Sequence, residues 1–391
     1  MKLVVVGLGQ CGGRIADEFL RLNRRARSQR GIEIITGAFA VNTDAADLTG
    51  LKYISPDYQH RILIGGRRTG GHGVGKINEL GAEVAKEDSD KIVDAIRTAK
   101  RFFETDAFFI IAGVAGGTGS GALPIVTQMI RDRYGDKPAY ALAVLPFGHE
   151  EQTEERTIYN AATCLKSLYK VADAVFLIDN QRYVRKDFSL RNNLEKINTL
   201  IVEQFYNMLC AGEETKQKHI GAKMLDAGDI IQSLAGWTTI GFGKALVPAF
   251  NWFHIFSKDF RSKSTETHRG IQAMDEAISE LSLKCNPADS GRALYLVSGP
   301  PKEMNMDLIK ELADYLRGMS PQAVIRNGDY PREKGAIDVT VVLSEFNALD
   351  KIRGYFERAT DVIHGLKQRR GEFEDKLREV DEIAKDLPSL L

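Results

Sequence analysis

The sequence is short of nearly everything that marks a secreted, zinc-binding or membrane-spanning chain. Only four cysteines occur in 391 residues: Cys11, Cys164, Cys210 and Cys285. They lie far apart and form no CxxC pair, which argues against a disulfide framework or a cysteine-rich zinc site. The seven histidines show no HExxH or similar spacing, so no metal held by protein ligands is expected. No run of eighteen apolar residues exists, and nothing reads as a membrane-spanning helix. The opening run Leu3-Val4-Val5-Val6 is too short for a signal-peptide core. The expected location is therefore a reducing cytoplasm, with any membrane contact indirect. Net charge is missing too, since 53 basic residues balance 53 acidic ones. Without a global basic field, no nucleic-acid partner is expected. Repeats, Pro/Ser-rich linkers and long stretches without apolar residues are also absent.

What is present is ordinary globular composition, 43% hydrophobic and 27% charged. That length holds roughly two or three domains. Short apolar runs alternate with amphipathic stretches through the first half. Strands are expected at Leu3–Val6, Ile34–Val41, Arg61–Ile64, Ala107–Ala112, Tyr140–Leu145 and Ala174–Ile178. Strand, loop and helix in repetition give an α/β fold, a parallel sheet with helices on both faces. Leu194, Ile197, Ile201, Phe205 and Leu209 mark one long helix over about 194–210. After Ala235 the pattern changes. A strand over Thr238–Val247, a polar loop over Asn251–His268 and a helix near Gly270–Leu283 follow. Strands and a helix then alternate to Leu343, which reads as a second, smaller α+β domain.

Three glycine-rich loops carry the chemistry. Gly7-x-Gly9-x-x-Gly12 joins a strand to a helix, the pattern that lets backbone amides reach a phosphate. The second strand ends at Asn42-Thr43-Asp44, where Asp44 either faces a ligand or caps a helix. The second loop, Gly65 to Lys76, contains GxxxxGK from Gly70. Ile77 stands where a P-loop needs Ser or Thr for magnesium, so this is not a Walker A motif. A loop offering amides to a terminal phosphate fits better. The third loop, Gly113-Val114-Ala115-Gly116-Gly117-Thr118-Gly119-Ser120-Gly121, is the sharpest signal. Its small residues let the backbone wrap an anion, and Thr118 and Ser120 add hydroxyls.

GGTGSG at Gly116–Gly121 resembles the tubulin/FtsZ signature GGGTG(S/T)G, and further similarities cover about residues 1–345. Gly9-Gln10-Cys11-Gly12 resembles the first phosphate loop of tubulin, with Arg14 where the family carries Gln or Asn. Asn42-Thr43-Asp44 resembles the NTD of FtsZ, and Gly73-Val74-Gly75 lies where the family places its γ-phosphate loop. Pro146-Phe147-Gly148-His149-Glu150 is similar to the ribose loop PFxxE. Asn180 resembles the asparagine that reads guanine, and Asn198 the second base contact. Glu154 falls where FtsZ has an arginine, with Arg156 nearby, and Leu194 replaces a stacking aromatic ring. The family's NxDxxD loop corresponds to Met224-Leu225-Asp226-Ala227-Gly228-Asp229. Read alone, Asp226 is a helix cap. The resemblance implies instead that Asp226 and Asp229 are catalytic and polarise water in trans, on the next subunit's nucleotide.

The departures, with no FtsZ-type adaptor tail, favour the archaeal CetZ branch over FtsZ itself. The resemblance implies four units. They are a nucleotide-binding domain (1–182), a central helix with catalytic loop (183–234), a C-terminal α+β domain (235–347) and a helical tail (348–391). It also implies a cytoskeletal GTPase for cell shape or division, binding GTP or GDP with Mg2+ held mainly by phosphates. The chain would be its own partner in head-to-tail protofilaments, with lateral contacts through 251–268 near Lys258, Arg261 and Lys263. The tail stripe Leu366, Phe373, Val380 and Leu387 suits a partner helix or the chain's own surface. Two other readings stand open. One is an NAD-dependent oxidoreductase resting on GxGxxG. The other is an assembling nucleotide-binding protein with little hydrolysis, which Met224 keeps alive.

Overall fold

The structure, a computed structural model, describes residues 1–184, 190–214, 219, 221–247 and 260–363, the side chains of 190–193 and 260–267 excepted. Lys258, the side chains of Arg261 and Lys263, and the tail stripe from Leu366 lie outside the described residues. The first half runs β1 (Leu3–Leu8), α1 (Gly9–Arg30), β2 (Ile35–Asn42), α2 (Ala45–Thr49), β3 (Arg61–Leu63), α3 (Gly66–Thr69), α4 (Asn78–Glu87), α5 (Ser89–Arg97), β4 (Ala107–Gly113), α6 (Thr118–Arg133), β5 (Ala139–Leu145), α7 (Gly148–Thr153), α8 (Glu155–Val171) and β6 (Ala174–Asp179). Then come α9 (Asn180–Tyr183), α10 (Leu190–Glu203), α11 (Tyr206–Cys210), α12 (Ala227–Ser233), β7 (Gly236–Leu246), α13 (Phe260–Ser279), β8 (Arg292–Gly299), α14 (Met306–Met319), β9 (Val324–Pro331) and β10 (Ala336–Ser344). Residues 350–363 form one more helix.

The strands build a sheet ordered β3-β2-β1-β4-β5-β6-β7-β10-β8-β9. β3 to β6 are parallel. Their near-continuous apolar runs reflect burial on both faces. β1 shows it residue by residue. Val4, Val6 and Leu8 enter one apolar core, and Leu3 and Val5 enter the other. β1 pairs with β2 on one side and β4 on the other. The chain order reverses there, so a crevice opens at the carboxyl ends of these strands.

Three features differ from the sequence-based expectation. The smaller domain does not have a sheet of its own. Gly236–Thr238 of β7 pair in parallel with β6, while Thr239–Leu246 pair antiparallel with β10. The boundary expected near residue 235 thus falls on a strand shared by both parts. Helix α13 starts at Phe260, inside the stretch read as a polar loop. The long central helix is interrupted at Gln204-Phe205, where the Phe205 amide bonds back three residues to the Val202 carbonyl. That is a local 3₁₀ tightening. It seats the Phe205 ring among Phe19, Phe109 and Phe176, with centroids 5.2 to 5.6 Å away.

Candidate functional site

β1 runs straight into α1 through Gly9, whose φ of +68° only glycine adopts without strain. α1 has no side-chain cap and no acid in its first turn. α6, which follows β4, likewise has neither. Two helix N-termini therefore present free amides at the reversal point of the sheet. Each attracts an anion by about 0.3–2 kcal/mol before specific hydrogen bonds are counted.

These termini floor a cleft of about 380 Å³, lined by residues from seven separate segments. Gly9, Gln10, Cys11 and Arg14 come from the first loop and α1. Asn42 and Asp44 follow β2, and Gly73 belongs to the second glycine loop. Gly113, Gly116, Gly117, Thr118 and Gly119 follow β4, Glu150 sits on α7, Asn180 starts α9 and Asn198 lies on α10. Among the described residues Arg14 is the only cation lining it. Burial pushes the Cys11 thiol up to about 12, so it stays neutral beside the glycine loops.

Five residues read as ligand contacts lie outside the cleft lining. A Cβ on Gly12 would meet the Ile111 carbonyl oxygen at 2.0 Å, so this glycine serves helix–strand packing. A Cβ on Gly121 would meet the Asn78 carbonyl oxygen at 2.1 Å, where α6 packs on α4. The Ser120 hydroxyl donates to the Gly116 carbonyl and holds the loop's shape. Val74 is buried as a prop beneath Gly117, and Gly75 lies in the exposed turn behind it. Glu154 and Arg156 pair with Lys76 and Glu79 and do not line the cleft either. Leu194 does line it.

The loops are tied to one another. The Gly73 amide donates to the Thr43 carbonyl (3.1 Å) and the Ala45 amide to the Gly71 carbonyl (3.1 Å). The Thr43 and Thr118 hydroxyls bond at 2.6 Å. Gln10 and Asn42 both donate to the Asp47 carboxylate, at 2.6 and 3.1 Å. Asp44 fills both roles considered for it, capping α2 by accepting from the Asp47 amide (3.1 Å) while lining the cleft. Sequence reading missed Asp47 and Asn160. The Asn160 side-chain amide, fully buried, donates to the carbonyls of Lys76 (2.9 Å), Ala115 (3.1 Å) and Gly116 (3.0 Å). It staples the second glycine loop to the third. One signal was available: Asn160 sits on the buried face of α8, among Ala161, Cys164 and Leu168.

Asp226 and Asp229 are elsewhere. The Asp226 carboxylate accepts from the Asp229 amide (2.8 Å) and caps α12, while Asp229 faces Arg326 at 3.8 Å. α12 leads into β7, whose Gly236 is level with Ala174, the first residue of β6. The cleft lies past the last residue of β6, roughly 20 Å along the strand. The central helix spans the same distance. Asn198 lines the cleft, and Leu209 accepts from the Met1 ammonium (3.0 Å) at the start of β1. The carboxylate pair and the cleft thus occupy opposite ends of the molecule. Among the described residues no three His, Cys, Asp or Glu side chains converge as a metal site.

Comparison with known proteins gives two family matches. Residues 2–186 match the Tubulin/FtsZ family GTPase domain, and residues 187–361 match the Tubulin-like CetZ C-terminal domain. The similarity therefore reaches past residue 345. The chain is 33% identical over 346 residues to tubulin-like protein CetZ1 of Haloferax volcanii, covering 85% of this chain and 84% of that one. Two solved structures from that organism superpose with a TM-score of 0.78. The GDP-bound monomer of CetZ1 is 29% identical, with 93% of this chain and 99% of that chain covered. The GTPγS-bound protofilament of CetZ2 is 28% identical, with 94% and 100% covered.

Proposed function

The chain belongs to the tubulin/FtsZ family of GTPases, as a CetZ-type member, and from that premise we propose that it is a cytoskeletal subunit whose active site is completed by its neighbour. Its parallel sheet, long central segment and α+β second part suit that family, and the oxidoreductase reading falls away. GTP is placed with its phosphates on the amides of Gly9, Gln10 and Gly116–Gly119. Its terminal phosphate points to Gly73, its ribose to Glu150 and its base to Asn180 and Asn198. The relatives bound to GDP and to GTPγS support a guanine nucleotide in this cleft. Magnesium fits as an ion held by the phosphates and water, since the described residues offer no cage for it. It would supply neutralising charge on the phosphates.

The observation that carries the reading is the separation of the cleft from Asp226 and Asp229. Such a pair orients and polarises water only on a nucleotide brought by another copy. Stacking cleft on carboxylates is a heterologous contact, which propagates as an open filament. The GTPγS-bound protofilament formed by the CetZ2 relative supports this assembly. Cell shape or division in the cytoplasm is the corresponding role, and contacts through 251–268 are the proposed lateral ones.

The direct experiment is phosphate release from GTP with magnesium across a range of protein concentrations. Release per subunit is expected to climb with concentration until assembly saturates. A rate per subunit independent of concentration overturns the shared site.

The Asn160 staple gives a second expectation. Asn160→Ala leaves two glycine loops untied and should weaken GTP binding about tenfold. Losing the two N–H donors shared among these buried carbonyls should also cost about 1–3 kcal/mol of stability. Titration calorimetry and urea unfolding measure the two effects. Wild-type affinity in this variant shows that the loops hold their places unaided.

A further inference from the structure

The helix over residues 350–363 packs against the back of the cleft with one face, Lys351, Tyr355 and Arg358, spaced as helical neighbours. Its targets are two mostly buried carboxylates. Lys351 Nζ lies 2.9 Å from Asp179 Oδ1 and 3.4 Å from Glu151 Oε1. The Tyr355 hydroxyl donates to Glu151 Oε1 (2.6 Å). Arg358 donates to Glu151 Oε2 (3.1 Å) and to the Glu151 carbonyl (2.8 Å). The Asp179 and Glu151 side chains are only 10% and 13% exposed, so the ammonium between them is poorly screened by water.

Each carboxylate is the chain neighbour of a cleft residue. Asp179 precedes Asn180 and caps α9 by accepting from the Gln181 amide (3.1 Å). Glu151 follows Glu150, whose own carboxylate accepts from the Phe147 amide (2.9 Å). A third tie joins the two segments, from the Gly148 amide to Gln181 Oε1 (3.1 Å). None of these contacts reaches the phosphate loops after β1 and β4.

We propose that Lys351 is a positioning residue that sets guanine selectivity, by clamping the Asn180 and Glu150 segments together from behind the cleft. The inference rests on the guanine nucleotide assigned to this cleft above. Without the ammonium, Glu151 keeps Arg358, but the mostly buried Asp179 loses its cation. α9 then loosens at its cap, and Asn180 moves relative to the base. The phosphate end keeps its geometry. The clamp therefore acts on the base and ribose and is silent toward a bare phosphate chain.

The test is calorimetric binding of GTP, ATP and inorganic tripolyphosphate to the full chain. Lys351→Met is expected to bind GTP about tenfold more weakly, to lose most of its preference over ATP, and to bind tripolyphosphate as wild type does. Lys351→Arg restores the preference. Tyr355→Phe removes only a hydroxyl from the same clamp, so it folds, and it should show a smaller loss in the same direction. An unchanged GTP-to-ATP ratio in Lys351→Met and Tyr355→Phe overturns the clamp. So does a proportional loss of tripolyphosphate binding, because that is general loosening. A wild-type chain that binds GTP and ATP alike overturns the assignment of the cleft itself.

Discussion

Asp226→Ala is expected to lower GTP turnover by roughly 10²- to 10⁴-fold while the subunit still binds GTP with wild-type affinity. The two quantities separate because the carboxylate lies at the far end of the sheet from the cleft on its own chain. The variant loses its cap to the Asp229 amide, which costs about 1 kcal/mol, too little to unfold the chain. The decisive arm mixes subunits. Thr118→Asp puts a negative charge in the phosphate loop, where it repels the nucleotide but suits a helix N-terminus. Each variant alone should be nearly inactive. Mixed, the intact cleft of one meets the intact carboxylates of the other, and phosphate release should reappear. Catalysis within a single chain predicts no recovery at any ratio.

Gly12→Ala should produce the largest loss of stability, about 3 kcal/mol or more. Its new methyl would sit 2.0 Å from the Ile111 carbonyl oxygen, a backbone atom that cannot rotate aside. α1 and β4 must separate, and both carry loops of the cleft. Urea unfolding without nucleotide should register the whole effect, since packing and not ligand contact is lost. If the ligand-free variant is as stable as wild type and only GTP affinity falls, Gly12 touches the nucleotide after all.

Gly12 also shows how far the sequence can be read. GxGxxG announces a strand, a tight turn and a helix, and all three are present. It does not say which glycine faces a ligand. Gly9 lines the cleft with a positive φ, while Gly12 and Gly121 are small because another backbone passes over them. Ser120 belongs to the same lesson. A hydroxyl in a phosphate loop reads as a ligand donor, yet the fold spends it on the Gly116 carbonyl.

Local composition determined much of this protein. Apolar runs of strand length fixed the parallel sheet, because burial on both faces demands them. The glycine loops fixed where an anion can approach. A net charge of zero, four scattered cysteines and the lack of long apolar runs narrowed the class before any motif was considered. Tertiary structure decided the rest, since those choices depend on residues distant in sequence meeting in space. Asn160 is a helix residue until β4 and the second glycine loop bring three carbonyls to it. Lys351 is one charge on a charged helix until Asp179 and Glu151 close around it. The break at Phe205 answers three aromatic rings contributed by α1, β4 and β6. Above all, the distance between the cleft and Asp226 is the length of a β-strand, which the central helix spans alongside it. Only the assembled sheet sets that length, and the proposed sharing of the catalytic site between subunits rests on it.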